Sequence, residues 1–236
     1  MRPWCPKPKI TPPDAYPEYD IDGDGISNAV ELNDANSYLG LDDQSWNANP
    51  SIAHGTPNDG WIEHALNLPD QGAGYWHNRG TDPVDKDDWG VLSMLNMLEG
   101  AGRDWLFYRE PPPVITINDI SEGDETTQVF GGYWSDHPGG SHQNGLDVDI
   151  RYIRKDNELQ GLSLKTQAGR DAYDAPATAR MLTDLIRNGS IIKIILSPHH
   201  SLRFPPDTSR AYVVVTDTSH DDHIHLRIED PDGTNN

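Results

Sequence analysis

An α+β architecture follows from three features of the sequence. Five short runs have strand character and several alternate apolar with polar residues. Two helical patterns fall among them without the strict strand-helix alternation that builds a parallel sheet. The stretch before residue 89 shows almost no periodicity. Together these predict a mostly antiparallel sheet with helices on one face and a polar cleft on the other, preceded by a loop-rich acidic annex. No internal repeat is visible.

Residues 1–19 carry six prolines and read as an extended lead-in. In "DIDGDGISNAVEL" (20–32), Asp20, Asp22, Asp24, Gly25 and Glu31 then occupy positions 1, 3, 5, 6 and 12 of a calcium loop. Calcium takes six to eight oxygens, and a chain turning at Gly25 can aim three carboxylates, the carbonyl of Ile26 and a bidentate Glu31 at one point, with Asn28 as a further ligand. A polar turn is the competing reading, because Ser27 stands where EF-hands place an aliphatic residue and the proline-rich segment upstream is no helix. The expectation is calcium as a structural clip. Residues 33–88 mix Asn, Gly, Asp and Pro with isolated Trp46, Trp61 and Trp76, and read as loops. The expected division is a lead-in (1–19), an annex (20–84), a principal domain (85–229) and a tail (230–236).

In "WGVLSMLNMLE" (89–99), Val91, Leu92, Leu95 and Leu98 have helical spacing, Asp87 and Asp88 suit the N-terminal end, and Gly100 or Gly102 is the expected stop. The strand-like runs are "VITIND" (114–119), "LDVDIRY" (146–152), "IIKIILS" (191–197), "YVVVT" (212–216) and "HIHLRI" (223–228). "APATARMLTDLIRNG" (175–189) predicts a helix with Pro176 in its first turn and Gly189 as its stop.

Composition excludes several functions. Against 38 acidic residues stand 18 lysines and arginines, and the net charge of −20 repels nucleic-acid phosphates and anionic membrane surfaces. Cys5 is the only cysteine, so an intrachain disulfide and cysteine-rich zinc sites are out; any transition metal must be held by His, Asp or Glu. No apolar run is long enough to span a membrane, and MRPWCPKPKI lacks the apolar stretch expected of a signal peptide.

Alternation places Asp147 and Asp149 on one face of their strand and Leu146, Val148 and Ile150 on the other. In 223–228, His223, His225 and Arg227 likewise oppose Ile224, Leu226 and Ile228. Two such strands describe a sheet with its apolar side on helices and its polar side lining a cleft. Catalytic zinc commonly takes three ligands from His, Asp or Glu, and His142, Asp149 and His225 fill those places if the chain bends at Asn144-Gly145. His223, on the same face, is placed to act as base or transition-state stabiliser, and His220 to assist. Asp147 either orients a ligand histidine or closes a strand-end hydrogen bond. The bland alternative is a wet edge strand beside histidines scattered by chance; for His199 and His200 a plain loop is the better reading.

"SHQNGLDVDI" and "HDDHIHLRI" resemble the signature segments of penicillin-insensitive murein endopeptidases, zinc peptidases related in fold to D-Ala-D-Ala carboxypeptidases, lysostaphin-type enzymes and hedgehog domains. The resemblance extends over roughly residues 85–229. It implies zinc on His142, Asp149 and His225, His223 as the catalytic histidine and His220 as an auxiliary. One departure stands out: the family usually has a histidine three residues before the first ligand, where this chain has Gly139 with His137 two residues earlier, so a second zinc is not carried over.

The resemblance implies hydrolysis of peptide cross-links in peptidoglycan through a metal-activated water, in the periplasm or outside the cell. Two alternatives stand beside it. One is a D-Ala-D-Ala carboxypeptidase or dipeptidase, whose cleft would be closed by a basic residue such as Arg151, Arg203 or Arg227. The other is a non-catalytic cell-wall binding module stabilised by zinc and calcium.

Overall fold

Residues 147–151 and 223–228 pair as antiparallel strands, with Asp149 opposite His225 and Val148 opposite Leu226. The pairing puts equal faces together, as a period of two requires. The computed structural model describes residues 51–69, 71–72, 74–78, 87–108, 113–124, 127, 129–132, 141–202 and 212–231, all within the compact unit 45–236. The proline-rich lead-in, the calcium loop (Asp20, Asp22, Asp24, Ile26, Asn28, Glu31), Cys5, Trp46, His137, Gly139 and Arg203 lie outside the described residues.

In chain order the elements are β1 (Ile52–Thr56), β2 (Asp59–Glu63), β3 (Leu66–Asn67), β4 (Gln71–Gly72), β5 (Tyr75–His77), β6 (Trp89–Gly90) and α1 (Leu92–Trp105). Then come β7 (Ile115–Asp119), β8 (Gly123–Asp124), β9 (Val129–Phe130), β10 (Asp147–Arg151), α2 (Gln167–Ala172), α3 (Ala175–Asn188), β11 (Ile191–Leu196), β12 (Val213–Thr216) and β13 (His223–Ile228). Seven strands form one sheet in the order β12-β11-β13-β10-β7-β5-β4. Its centre is antiparallel, and parallel pairs flank it where β12 meets β11 and β5 meets β7. This is the expected mixed α and β fold with a mostly antiparallel sheet.

The apolar face holds the core. Val148, Ile150, Ile194, Leu196, Ile224 and Leu226 are fully buried, as are Met94, Leu95 and Met97 of α1 and Met181 and Leu185 of α3. Each such side chain contributes roughly 1.5–3 kcal/mol through burial. Helices α1 and α3 pack on each other, and α1 lies against β5. Helix α3 follows its sequence signals: Asp174 caps it by accepting from Ala177 N at 3.0 Å, Pro176 sits in its first turn and the Gly189 N–H donates to Leu185 O.

Three expectations are corrected. Helix α1 does not stop at Gly100 or Gly102 but runs on to Trp105. A Cβ at Gly100 would lie 2.4 Å from Asn188 Oδ1, so this glycine serves close helix approach and not termination. Asp87 and Asp88 do not sit in the first turn of α1; Asp88 is buried and accepts from Asn67 Nδ2 at 2.7 Å, while Ser51 Oγ takes the Leu92 N–H at 2.7 Å. Finally, the stretch read as loops builds the β1–β2 hairpin and supplies β4 and β5 to the main sheet. Strands of two or three residues, such as β4 and β5, are too short to show a period, and they are decided by pairing, β5 with β7 and β4 with β5.

Candidate metal centre

The polar face of β10 and β13 is completed by the turn before β10. His142 has φ of +69° and Gly145 of +70°, both left-handed. A Cβ at Gly145 would come within 2.9 Å of Ile62 Cδ1 and Val91 N, so the position accepts only glycine. The bend expected at Asn144-Gly145 is therefore present, and it returns the His142 ring to the sheet beside Asp149.

His142 Nδ1 lies 2.8 Å from the carbonyl oxygen of Ile120. A carbonyl only accepts, so Nδ1 carries the proton and Nε2 presents its lone pair. That Nε2 lies 3.2 Å from His225 Nδ1 and 3.4 Å from Asp149 Oδ1, and the last two atoms are 2.9 Å apart. All three residues are buried, and their donor atoms, within 4.8 Å of one another, form a group able to hold a metal ion.

A further layer of partners orients these ligands. Asp147 Oδ1 lies 3.3 Å from His225 Nε2, the ring nitrogen turned away from the ligand cluster. Arg227 donates to both Asp147 oxygens, from Nε at 2.6 Å and Nη2 at 2.8 Å, and the His142 backbone N–H lies 3.3 Å from Asp147 Oδ2. Asp147 fills both roles open to it: it faces the His225 ring, and at the first position of β10 it accepts from the His142 N–H and from Arg227. Burial alone would raise its carboxyl, but the hydrogen bonds from His225 and Arg227 outweigh burial and hold it well below the ordinary range. Burial likewise opposes a charge on His225, yet Asp147 and Asp149 overcome it and push the ring up to about 9. The pocket thus favours a positive charge among its carboxylates.

His223 and His220 border the cluster. His223 Nε2 lies 3.3 Å from Asp149 Oδ2, and its Nδ1 lies 2.7 Å from Asp222 Oδ1. Burial disfavours the His223 cation, but Asp222 and Asp149 together raise its pKa. The His220 ring centroid is 4.8 Å from that of His223 and 5.7 Å from that of His225. Burial first, and then these two neighbours, lower His220 to about 4, so it is neutral near pH 7. Its backbone is tethered by Tyr152, whose hydroxyl donates to the His220 carbonyl at 3.1 Å.

Other candidates are employed elsewhere. His200 follows β11 and accepts from Leu202 N through Nδ1, which is local loop structure, and His199 in the same loop donates its N–H to Ser197 Oγ. Arg151 donates to the carbonyl of Leu159 at 2.7 Å, and Arg227 is committed to Asp147. Sequence reasoning missed Ile120, Ser121 and Asp222 as partners of the site; Asp222 was adjacent to a singled-out histidine, whereas a backbone carbonyl and a lone serine leave no signal. No family model matches this chain, and no curated protein matches it. Among the described residues no helix is long and apolar enough to cross a membrane.

Proposed function

We propose that the protein is a zinc-dependent peptidase that cuts the peptide cross-links of peptidoglycan. The observation that carries this reading is the buried group of His142, Asp149 and His225 with a fourth side left to two further histidines. Donors held about 2.0–2.1 Å from a tetrahedral zinc stand about 3.3 Å apart, close to the 3.2, 3.4 and 2.9 Å found here. The set of two imidazoles and one carboxylate, each histidine anchored through its other nitrogen, suits zinc. When bound, zinc supplies a Lewis acid for a peptide carbonyl and lowers the pKa of its water toward about 7.

The chain's own residues do the rest. His223, held by Asp222 on one nitrogen and facing the centre with the other, takes and returns the proton. Neutral His220 offers a second imidazole at the same opening. Asp147 and Arg227 keep His225 oriented, and the low exposure of the ligands keeps bulk water off them. The sequence resemblance supports peptidoglycan as the substrate class and a location outside the cytoplasmic membrane. The calcium loop at Asp20, Asp22, Asp24, Ile26, Asn28 and Glu31 is proposed as a structural clip. Among the described residues, the two candidate arginines, Arg151 and Arg227, are committed to internal partners, which favours an endopeptidase over an enzyme that grips a terminal carboxylate.

The test is mass analysis of fragments released from purified peptidoglycan by the protein, by a His225→Ala variant and by chelator-treated protein with and without zinc re-addition. Release of uncross-linked muropeptides that fails in the variant and returns with zinc is the expected result. Loss of a terminal D-Ala alone would indicate the carboxypeptidase, and no release from a zinc-loaded protein the binding module.

A further inference from the structure

The turn that delivers His142 is closed in an unusual way. A β-turn ordinarily joins the carbonyl of its first residue to the N–H of its fourth. For residues 142–145 the Ser121 hydroxyl stands in that place: it donates to the His142 carbonyl and accepts from Gly145 N at 2.9 Å. Ser121 is 1% exposed, and both its hydrogen-bonding capacities on the turn are spent. The residue before it, Ile120, accepts from the His142 ring at 2.8 Å. The two consecutive residues after β7 therefore hold the same histidine, one by its backbone and one by its side chain.

This bracing answers a local difficulty. A non-glycine residue at φ of +69° is strained and persists only where its surroundings over-determine it. The His142 N–H reaches Asp147, its carbonyl reaches Ser121 and its ring reaches Ile120, so backbone and ring orientation are set together. The flanks are tied as well: Gln143 N donates to Pro57 O at 3.0 Å and Gly132 N to Gln143 O at 2.7 Å. Without the hydroxyl, the carbonyl of His142 and the N–H of Gly145 are left facing each other across the gap it filled. They then either remain unpaired in a buried place or close on each other, and closure rotates the peptide that carries His142.

We propose that Ser121 is a positioning residue for the metal centre: its hydroxyl, inserted into the 142–145 turn, holds His142 in the left-handed conformation that aims Nε2 at the ion. The assignment rests on the zinc reading of the site. Ser121 touches neither metal nor substrate and acts only through His142.

Zinc affinity is measured by competition with a chromophoric chelator, and the cobalt-substituted protein is examined by its visible absorption, for the parent, Ser121→Ala and Thr178→Val. Thr178 is fully buried, and its Oγ1 accepts from Ile153 N at 3.2 Å. It serves as a second lost buried hydroxyl, away from the metal ligands. Ser121→Ala is expected to bind zinc about 10–100-fold more weakly, in the range of lost outer-shell partners, with an altered cobalt spectrum. Thr178→Val is expected to lose thermal stability but keep the parent's affinity and spectrum. Folded Ser121→Ala with zinc affinity within threefold of the parent and an unchanged spectrum would overturn the positioning role while leaving the zinc reading intact. Equal weakening by Thr178→Val would overturn it too, by reducing the effect to general stability. A parent that binds no zinc would sink both.

Discussion

The two faces of β10 and β13 are built from alternate residues of the same ten or so positions, yet they are held by different physics. On one side Val148, Ile150, Ile224 and Leu226 are fully buried among other apolar side chains; burial is non-directional, and similar volumes can replace one another at modest cost. On the other, Asp149, His225, Asp147 and Arg227 are linked in a chain of contacts of 2.6–3.3 Å with a fixed order of donors and acceptors. A buried carboxylate is costly unless its partners are in place. The apolar face supplies stability, and the polar face uses it to keep these charged groups in fixed mutual positions.

The sharpest way to separate the faces is His225→Ala. On the proposed zinc peptidase reading it removes a ligand, and zinc affinity should fall by more than the roughly 100-fold that loss of an outer partner causes, as measured by chelator competition, with hydrolysis lost in parallel. Next in size is Leu226→Ala on the neighbouring residue, expected to cost about 2–5 kcal/mol of stability in urea unfolding while the folded fraction keeps its zinc affinity. If Leu226→Ala weakened zinc binding as much as it weakened the fold, the two faces would not be separable. Asp147→Asn should lie between the two kinds of effect: it keeps shape but loses the charge facing His225 and Arg227, so zinc binding should weaken about 10–100-fold.

The smallest expected effect concerns pH and the Asp87 carboxyl. Burial, together with a hydrogen bond to Asp119, pushes the Asp87 carboxyl up to about 7, against the opposing pull of His77. The folded state then holds this proton more tightly than the unfolded chain. The stabilisation is full below about pH 4, the ordinary carboxyl value, and is lost as pH rises toward 7. Urea midpoints of metal-free protein should carry a falling component across that window, and Asp87→Asn should remove it. An unchanged pH slope in the variant would assign the slope to other groups.

Much of the site was readable before any fold was known, because a period of two sorts "LDVDI" and "HIHLRI" into faces without further information. Asn144-Gly145 announced the bend, and Asp174, Pro176 and Gly189 announced helix α3. The glycines of α1 misled, since Gly100 signals a stop when read alone and close packing when Asn188 stands above it. Strands β4 and β5 were invisible for want of length. The third and fourth histidines of the centre were legible by spacing, but the carbonyl of Ile120 and the hydroxyl of Ser121 were not, because their importance lies in what they face.

The sequence by itself determined the chemistry on each strand face, the excess of acid over base, the exclusion of a cysteine-rich metal site and the position of the turn. Those are properties of residue type and of spacings under ten residues, where chain geometry leaves little choice. Only the tertiary structure decided that β10 lies beside β13, with Asp149 opposite His225 across 76 positions of chain. Only it decided that Arg227 neutralises Asp147 and that two residues after β7 hold His142. Contacts between distant segments depend on how the whole apolar face is buried, and that is a property of the packed molecule.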